Sequence, residues 1–349
     1  MHYKLMGKSG LRVSELCLGA MTFGKDWGWG ADKKESRSIY DAFIEVGGNF
    51  VDTADFYTNG TSEKYVGEFI SEHREQIVLA TKYTNSTPGK DANAAGNHRK
   101  NMIQSVETSL KRLGTDYIDL YWLHVWEYTT PVEEVMRAFE DLVRAGKVLY
   151  IGISDTPAWI VSRANMMAEL RGWAQFIGIQ IEYSLIQRTV EREFLPMARD
   201  LDLGVLAWGP LASGLLTGKY KNLAEGKVEG EGRLAQRKSH TALDDRKILI
   251  AKTLLEVAEE VGRPPSQVAL NWLRQQPGVV IPIVGASKVS QVKDNLACLE
   301  FNLEEEHLQK LEEVSRIDLG FPYEFVQTES AQAFAFGGFQ NQIINHRGK

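Results

Sequence analysis

The chain has 349 residues, of which 43% are hydrophobic and 25% charged, which is typical of a globular protein with one large domain or two medium ones. Its 40 Lys and Arg against 46 Asp and Glu give a net charge of −6, which argues against nucleic acid or an anionic membrane as partner. Cys17 and Cys298, the two cysteines, define neither a disulfide framework nor a zinc site, and predict a reducing cytoplasm. The start of the chain has no apolar leader, and no apolar run reaches the ~18 residues that span a bilayer.

Short apolar runs alternate along the chain with amphipathic stretches. The runs are rich in Ile, Val and Leu, as is typical of parallel strands covered on both faces. We predict strands at Leu16–Ala20, Asn49–Asp52, Ile77–Lys82, Ile118–His124, Val148–Ser154, Ile177–Ile181, Val205–Trp208 and Val279–Ile283. We predict helices at Lys33–Val46, Arg99–Leu113, Pro131–Arg144, Ala158–Leu170, Glu191–Asp200 and Lys247–Val261.

This alternation predicts an α/β protein with a single (β/α)8 barrel domain over residues 1–349. A hairpin within residues 1–14 precedes the first barrel strand and is placed to close the bottom of the barrel. A polar loop, residues 219–246, follows the seventh strand, and a tail rich in Phe and Gly, residues 318–349, either packs irregularly or lies over a pocket. A doubly wound open sheet is the competing layout, but its glycine-rich nucleotide fingerprints are missing from the sequence.

Ionisable side chains stand at the ends of three consecutive predicted strands. These residues are Asp52, Lys82 and His124, and Tyr57 follows shortly after Asp52. Any one of them alone would more often be a cap, a solvated charge or a structural histidine than a catalytic group. Because the active sites of (β/α)8 barrels lie at the carboxyl ends of the strands, their convergence predicts an active site.

The acid–base properties of these four residues predict proton transfer to an oxygen atom. The ordinary pKa of a tyrosine is about 10, and a nearby Lys82 ammonium lowers it by favouring the phenolate. Asp52 would keep Lys82 charged, and His124 would donate a hydrogen bond to a carbonyl oxygen. The sequence shows no nucleophile with its base, and its histidines lack metal-binding spacing, so we expect no metal and a hydride from a cofactor.

The segments GGNFVDTADFYTNGTSE and SLKRLGTDYIDLYWLH, which contain three of these residues, resemble the signatures of the aldo-keto reductases. The resemblance runs from GLRVSELCLGAMTFG to VSQVKDNL, over nearly the whole chain. GLLTGKY and FPYEF are similar to the bacterial aryl-alcohol-dehydrogenase-like branch, whose relatives include the potassium-channel β-subunits. The resemblance implies an NADP(H)-dependent reductase of aldehydes and ketones, with a catalytic tetrad of Asp52, Tyr57, Lys82 and His124 and with Tyr57 as the general acid.

The resemblance also implies an extended NADPH site without a Rossmann fold. Thr22 and Asp52 would lie beside the nicotinamide ribose, Ser154 and Gln180 at the carboxamide, and Trp208 against the nicotinamide ring. The residues expected around the pyrophosphate are Gly209, Pro210, Leu211, Gly214, Leu216 and Lys219. Those expected at the adenosine end are Gly285, Ser287, Lys288, Gln291 and Asn295. Packing of the core is the alternative role of Gln180 and Trp208.

Two positions depart from the family's pattern. Asp155 stands where Asn is common, and it either weakens the preference for the reduced cofactor or caps the following helix. Ser287 stands where many relatives have Arg, and with Lys288 it can still bind a 2′-phosphate. NADP(H) is therefore the expected cofactor, and NAD(H) stays open.

Aromatic residues in the predicted rim loops indicate aromatic or flat apolar carbonyl substrates, although some of them could instead pack the loops. These residues are Phe23, Trp27, Trp29, Phe56, Trp126 and Tyr128. Two other functions stay open, a slow-turnover cofactor-binding sensor similar to the channel subunits and a Schiff-base aldolase that uses Lys82. The sequence also leaves a homo-oligomer open.

Overall fold

The computed structural model of the protein describes residues 1–86, 89, 91–219 and 244–345. Most of the predicted loop 219–246 and the end of the predicted tail therefore lie outside the described residues. Within the described part of the chain, no helix is both long enough and apolar enough to cross a membrane.

Eight parallel strands form a closed barrel, which confirms the predicted (β/α)8 fold and excludes the open sheet. A separate antiparallel hairpin of β1 (Tyr3–Leu5) and β2 (Arg12–Ser14) precedes it. The barrel strands are β3 (Cys17–Gly19), β4 (Phe50–Asp52), β5 (Val78–Tyr83), β6 (Ile118–Leu123), β7 (Val148–Ser154), β8 (Phe176–Glu182), β9 (Gly204–Trp208) and β10 (Val280–Val284). Each pairs with the next along the chain, and β10 pairs with β3.

Helices cover the barrel or follow it in the chain. They are α1 (Lys33–Glu45), α2 (Thr61–Ile70), α3 (Arg99–Leu113), α4 (Val132–Arg144), α5 (Ala158–Arg171), α6 (Val190–Asp200), α7 (Asp245–Val261), α8 (Pro265–Arg274), α9 (Val289–Leu296), α10 (Glu305–Ser315), α11 (Tyr323–Gln327) and α12 (Glu329–Ala335). The predictions did not include α2 or any helix after α7. In α2 the sequence carries Gly67, a poor helix former, but a Cβ there would lie 2.4 Å from the Leu113 carbonyl oxygen. Close packing of α2 on the end of α3 thus outweighs the intrinsic preference.

The hairpin closes the amino-terminal end of the barrel, as predicted. Met6, which follows β1, is fully buried. Cβ atoms at Gly178 and Gly204 would lie 2.2 Å and 2.6 Å from its side chain, so only glycine leaves room for it in β8 and β9. Trp122 fills the barrel interior further along, since a Cβ at Gly152 would lie 2.3 Å from its ring. An active site can therefore lie only at the opposite, carboxyl-terminal end of the barrel.

The tail lies at the surface. Arg192 on α6 donates hydrogen bonds to the Asp318 carbonyl oxygen, the shorter at 2.8 Å, and so anchors the start of the tail. Beyond it Phe321 and Phe334 are 83% and 87% exposed. None of the described tail residues lines the cavity at the carboxyl-terminal end of the barrel. The described part of the tail therefore follows neither predicted arrangement, since it does not cover the pocket and its two short helices, α11 and α12, are largely exposed.

Candidate active site

The four residues of the predicted tetrad meet at one point of the carboxyl-terminal rim. Asp52 ends β4, Lys82 lies near the end of β5, and His124 directly follows β6. Lys82 Nζ donates hydrogen bonds to Asp52 Oδ2 and to the Thr53 carbonyl oxygen, the latter at 2.8 Å, and lies 3.4 Å from the Tyr57 hydroxyl. The rings of Tyr57 and His124 stand edge to face with their centroids 5.7 Å apart. Parallel strands in register thus gather residues that are distant in sequence.

A tight turn directs the Tyr57 side chain toward the barrel axis. Thr58 and Asn59 have φ angles of +47° and +56°, in the left-handed region that residues other than glycine seldom adopt. The Thr58 hydroxyl holds the turn, since it donates to the Phe23 carbonyl oxygen at 2.7 Å and accepts from the Ser62 backbone N–H at 3.0 Å. The strained backbone therefore persists because neighbouring loops fix it.

Burial and one ion pair determine the electrostatics of the tetrad. Burial alone would lower the pKa of the Lys82 ammonium, but the Asp52 carboxylate and the Tyr57 hydroxyl together outweigh burial and raise this pKa. Burial raises the pKa of Tyr57, and Lys82 opposes that shift. The sequence analysis is therefore right that Lys82 acts to lower the pKa of Tyr57. It does not predict that burial outweighs this effect, so that the net shift of the Tyr57 pKa is upward. Tyr57 is consequently a neutral phenol with a proton to donate.

His124 is a neutral imidazole at neutral pH. Burial, together with the positive charge of Lys82, lowers its pKa well below the usual value of 6.5. Its backbone N–H donates to the Tyr83 carbonyl oxygen at 3.1 Å, and its side chain makes no hydrogen bond within the described residues. A neutral ring with an unused N–H suits a carbonyl oxygen better than a carboxylate.

A cavity of about 330 Å³ opens above the tetrad. Fourteen of the predicted site residues line it: Thr22, Asp52, Tyr57, His124, Ser154, Asp155, Gln180, Trp208, Gly209, Pro210, Leu211, Gly214, Gly285 and Asn295. Six others do not line it: Lys82, Leu216, Lys219, Ser287, Lys288 and Gln291. The structure adds lining residues that the sequence analysis did not name: Gly19, Met21, Ser213, Ile283 and Val284. These are mostly small or apolar residues at strand ends, and only their position after a barrel strand signals their role.

Gln180 connects the cavity wall at the end of β8 to the tetrad. Its Nε2 donates to Asp52 Oδ1 at 3.0 Å, while Asp52 Oδ2 accepts from Lys82. Both Asp52 oxygens are therefore engaged, which fixes the orientation of the carboxylate. Gln180 is buried, yet it lines the cavity, so packing of the core does not account for its polar side chain.

The structure excludes one of the two predicted roles of Asp155. Its side chain accepts a hydrogen bond from the Trp208 indole Nε1–H at 3.0 Å. It does not cap α5, since the residue at the start of that helix is Pro157 and no side chain caps it there. The prediction of a helix cap is therefore wrong, because the left-handed backbone of Asp155, with φ +38°, carries the carboxyl toward the cavity.

The segment after β9 forms a turn of left-handed backbone. Ala212, Ser213 and Gly214 have φ angles of +46°, +57° and +96°. The N–H groups of Ala212 and Gly214 donate to the carbonyl oxygens of Gly209 and Leu211, both at 2.8 Å, and so hold the turn, while Ser213 and Gly214 line the cavity. Leu216 lies fully buried and does not line the cavity, and its place at the pyrophosphate stays a prediction. Lys219 is exposed where the described segment ends.

The predicted adenosine end lies at the start of α9. Gln291 Oε1 accepts the backbone N–H groups of Ser287 and Lys288 at 3.0 Å and 3.2 Å. The Val289 N–H is held by Glu35 Oε1 at 2.6 Å. Gln291 therefore shapes the loop, and only Gly285 and Asn295 of this group reach the cavity wall.

The predicted aromatic wall divides into three parts. Trp27, Trp29 and Phe56 form a cluster, with Trp27 centroids 5.7 Å from Trp29 and 5.6 Å from Phe56, and Phe56 lines the cavity. Phe23 and Trp126 are buried and pack the loops. Tyr128 is 69% exposed and does not line the cavity.

Comparison with known proteins identifies the family to which this chain belongs. The model of the Aldo/keto reductase family matches residues 15–316. The chain belongs to the aldo/keto reductase family. It is 37% identical over 343 residues to a norsolorinic acid reductase of Aspergillus flavus, covering 95% of this chain and 86% of that protein. It is 37% identical over 338 residues to the aryl-alcohol dehydrogenase [NADP(+)] of Phanerodontia chrysosporium, covering 92% of this chain and 88% of that protein.

A further aldo/keto reductase relative is a putative aryl-alcohol dehydrogenase of Saccharomyces cerevisiae, 36% identical over 335 residues, with 93% of this chain and 89% of that protein covered. This aldo/keto reductase is therefore an oxidoreductase, and its family uses a nicotinamide cofactor. The three relatives named above are fungal, and the predicted affiliation with a bacterial branch and with channel β-subunits stays a prediction.

Proposed function

We propose that this chain is an NADP(H)-dependent reductase of aldehydes or ketones in which Tyr57 is the general acid. The observation that carries the proposal is the Tyr57 hydroxyl, which lies 3.4 Å from Lys82 Nζ at a cavity that His124 also lines. The relative from Phanerodontia chrysosporium has NADP(+) in its name, which supports the choice of cofactor.

The cavity suits an extended dinucleotide. Ser213 and Gly214 line the cavity with left-handed backbone where a pyrophosphate would lie, and Gln180 and Ser154 offer polar groups at the tetrad end. Ser287 and Lys288 lie near the adenosine end, where Lys288 would bring positive charge to a 2′-phosphate. When bound, the cofactor supplies the hydride.

The residues of the tetrad divide the proton transfer among them. Tyr57 donates its phenolic proton to the carbonyl oxygen as the oxygen gains electron density. The Lys82 ammonium stabilises the phenolate that remains, and the Asp52 carboxylate keeps Lys82 protonated. His124, as a neutral ring, orients the carbonyl oxygen through an N–H, and the enclosed cavity makes these interactions stronger than they would be in water.

We propose aromatic or flat apolar carbonyl compounds as substrates. Phe56 lines the cavity beside Tyr57 and His124, and Trp27 packs against the rings of both Phe56 and Tyr57. Aromatic faces of this kind stack on flat rings. We also propose that the chain forms a single domain. We propose that it acts in a reducing cytoplasm, because both cysteines are free and buried. Its oligomeric state stays open.

The Schiff-base aldolase is disfavoured by the state of Lys82. An amine must be neutral to attack a carbonyl, whereas the Asp52 carboxylate raises the pKa of Lys82 and both groups are buried together. Borohydride trapping with an aldehyde should therefore leave Lys82 unlabelled.

The test is NADPH oxidation against a panel of aromatic and aliphatic aldehydes, with NADH measured in parallel. Tyr57→Phe should lower kcat by about 10²–10⁴-fold while the affinity for NADPH is retained. Tyr65→Phe, the same change on the outer helix α2, is the matched control and should leave the rate unchanged. A Tyr57→Phe rate within about threefold of wild type would exclude Tyr57 as the acid.

A further inference from the structure

A hydrogen bond joins two strand ends at the rim of the cavity. The Trp208 Nε1–H donates to Asp155 Oδ1 at 3.0 Å. Asp155 directly follows β7 and Trp208 ends β9, so the contact passes over the end of β8, which lies between them. Both side chains line the cavity.

The backbone of Asp155 is held in place on two sides. Its N–H donates to the Gln180 carbonyl oxygen at 3.3 Å, and its carbonyl oxygen accepts from the Trp126 N–H at 3.4 Å. Its φ of +38° is a conformation that costs free energy in any residue except glycine. Such strain persists where the surroundings fix it, and here it points a carboxyl group at the Trp208 ring edge.

The charges around this contact are predominantly negative. Glu182, at the end of β8, lies close enough that the Asp155 charge contributes to raising the Glu182 pKa, after burial. Lys82 acts on Asp155 from the tetrad, but its ammonium is already hydrogen-bonded to Asp52. The Asp155 side chain is exposed to the cavity, and the partial burial of its carboxyl group raises its pKa.

We propose that Asp155 is a positioning and selectivity residue, which fixes the Trp208 ring at the cavity wall and favours the oxidised, positively charged nicotinamide over the neutral reduced one. The inference rests on the proposed function. Through the indole N–H the carboxylate sets the orientation of the ring, and through its charge it attracts a cationic ring in the cavity more than a neutral one. Asn in its place would keep an acceptor oxygen and remove the charge.

The two effects can be separated by substitution. Asp155→Asn removes the charge but retains an oxygen that accepts from Trp208, Asp155→Ala removes both, and Trp208→Phe removes the donor and keeps an aromatic face. Asp116→Asn, an exposed carboxylate just before β6 at the opposite end of the barrel, is the matched control. Dissociation constants for NADP⁺ and NADPH are measured by isothermal titration calorimetry, which needs no turnover and no tryptophan signal.

In Asp155→Asn the affinity for NADP⁺ should fall roughly tenfold relative to the affinity for NADPH. This is the effect expected from the loss of one close, partly screened charge. Asp155→Ala should show the same shift and bind both forms more weakly, and Trp208→Phe should weaken both forms without changing the ratio. An unchanged ratio in both Asp155 variants, or an equal shift in Asp116→Asn, would overturn the inference alone. Wild-type protein that binds neither form would overturn the proposed cofactor, and the inference with it.

Discussion

Lys82 Nζ lies 3.4 Å from the Tyr57 hydroxyl while it donates hydrogen bonds to Asp52 and, at 2.8 Å, to the Thr53 carbonyl oxygen. The tyrosine therefore faces an ammonium whose position is fixed by acceptors at the end of β4. Because Lys82 is fully buried, its charge reaches Tyr57 with little screening by water. Because it is buried, the ion pair of Lys82 and Asp52 affects the stability of the fold as well as the chemistry of the site.

Breaking this ion pair should destabilise the fold. Lys82→Met leaves the Asp52 carboxylate buried without its partner, and the free energy of unfolding should fall by about 3–5 kcal/mol. The double variant Asp52→Asn/Lys82→Met removes both charges and should recover more than half of the loss. Urea denaturation at neutral pH measures both, and a double variant as unstable as Lys82→Met would contradict the assignment.

The two directions of the reaction should respond oppositely to pH. Reduction needs the protonated phenol, so its rate should be level near neutral pH and fall only as pH rises through the Tyr57 pKa, which burial raises. Alcohol oxidation needs the phenolate, so its rate should rise with pH through the same range. Initial rates with saturating cofactor between pH 6 and about 10 test this, and an oxidation rate that falls with pH would rule out a phenolate base.

A second buried carboxyl should make stability depend on pH. Burial, aided by the Glu63 charge, raises the pKa of Asp55 to about 8, and its Oδ1 has no partner within the described residues. The folded state therefore holds a proton that the unfolded state releases near pH 4, so stability present in acid is lost as pH rises toward 8.

Asp55→Asn should remove this loss. We expect a gain of roughly 1–3 kcal/mol in the free energy of unfolding at pH 9 and almost none at pH 4. Denaturation curves at the two pH values measure it, with the exposed Asp116→Asn as the control. An equal gain at both pH values would mean that the Asp55 proton does not limit stability.

The aromatic cluster should discriminate among substrates. Phe56→Ala removes the ring that lines the cavity beside Tyr57, so KM for aromatic aldehydes should rise about tenfold while KM for short aliphatic aldehydes changes little. Tyr128→Ala, at an exposed ring away from the cavity, should leave both unchanged. Equal increases for both aldehyde classes would show that Phe56 acts on the shape of the site rather than on stacking.

The sequence predicts the barrel and the tetrad well because both follow from local patterns. Apolar runs identify the strands, and parallel register then brings Asp52, Lys82 and His124 together without any knowledge of side-chain packing. The direction of the Tyr57 pKa shift could not be predicted this way, since it depends on how completely the phenol is buried. The Asp155 contact with Trp208 depends on a single positive φ, which no residue pattern at that position indicates.

The packing of Met6 and Trp122 limits the routes by which water and ligands can enter and leave the site. Met6 blocks one end of the barrel and Trp122 fills its middle, whereas the cavity opens at the other end. Under the proposed function, water, substrate and dinucleotide would all use this one opening. While it is occupied, Lys82 and Tyr57 would complete a turnover with the protons already inside, and they would exchange protons with the medium only after a ligand departs.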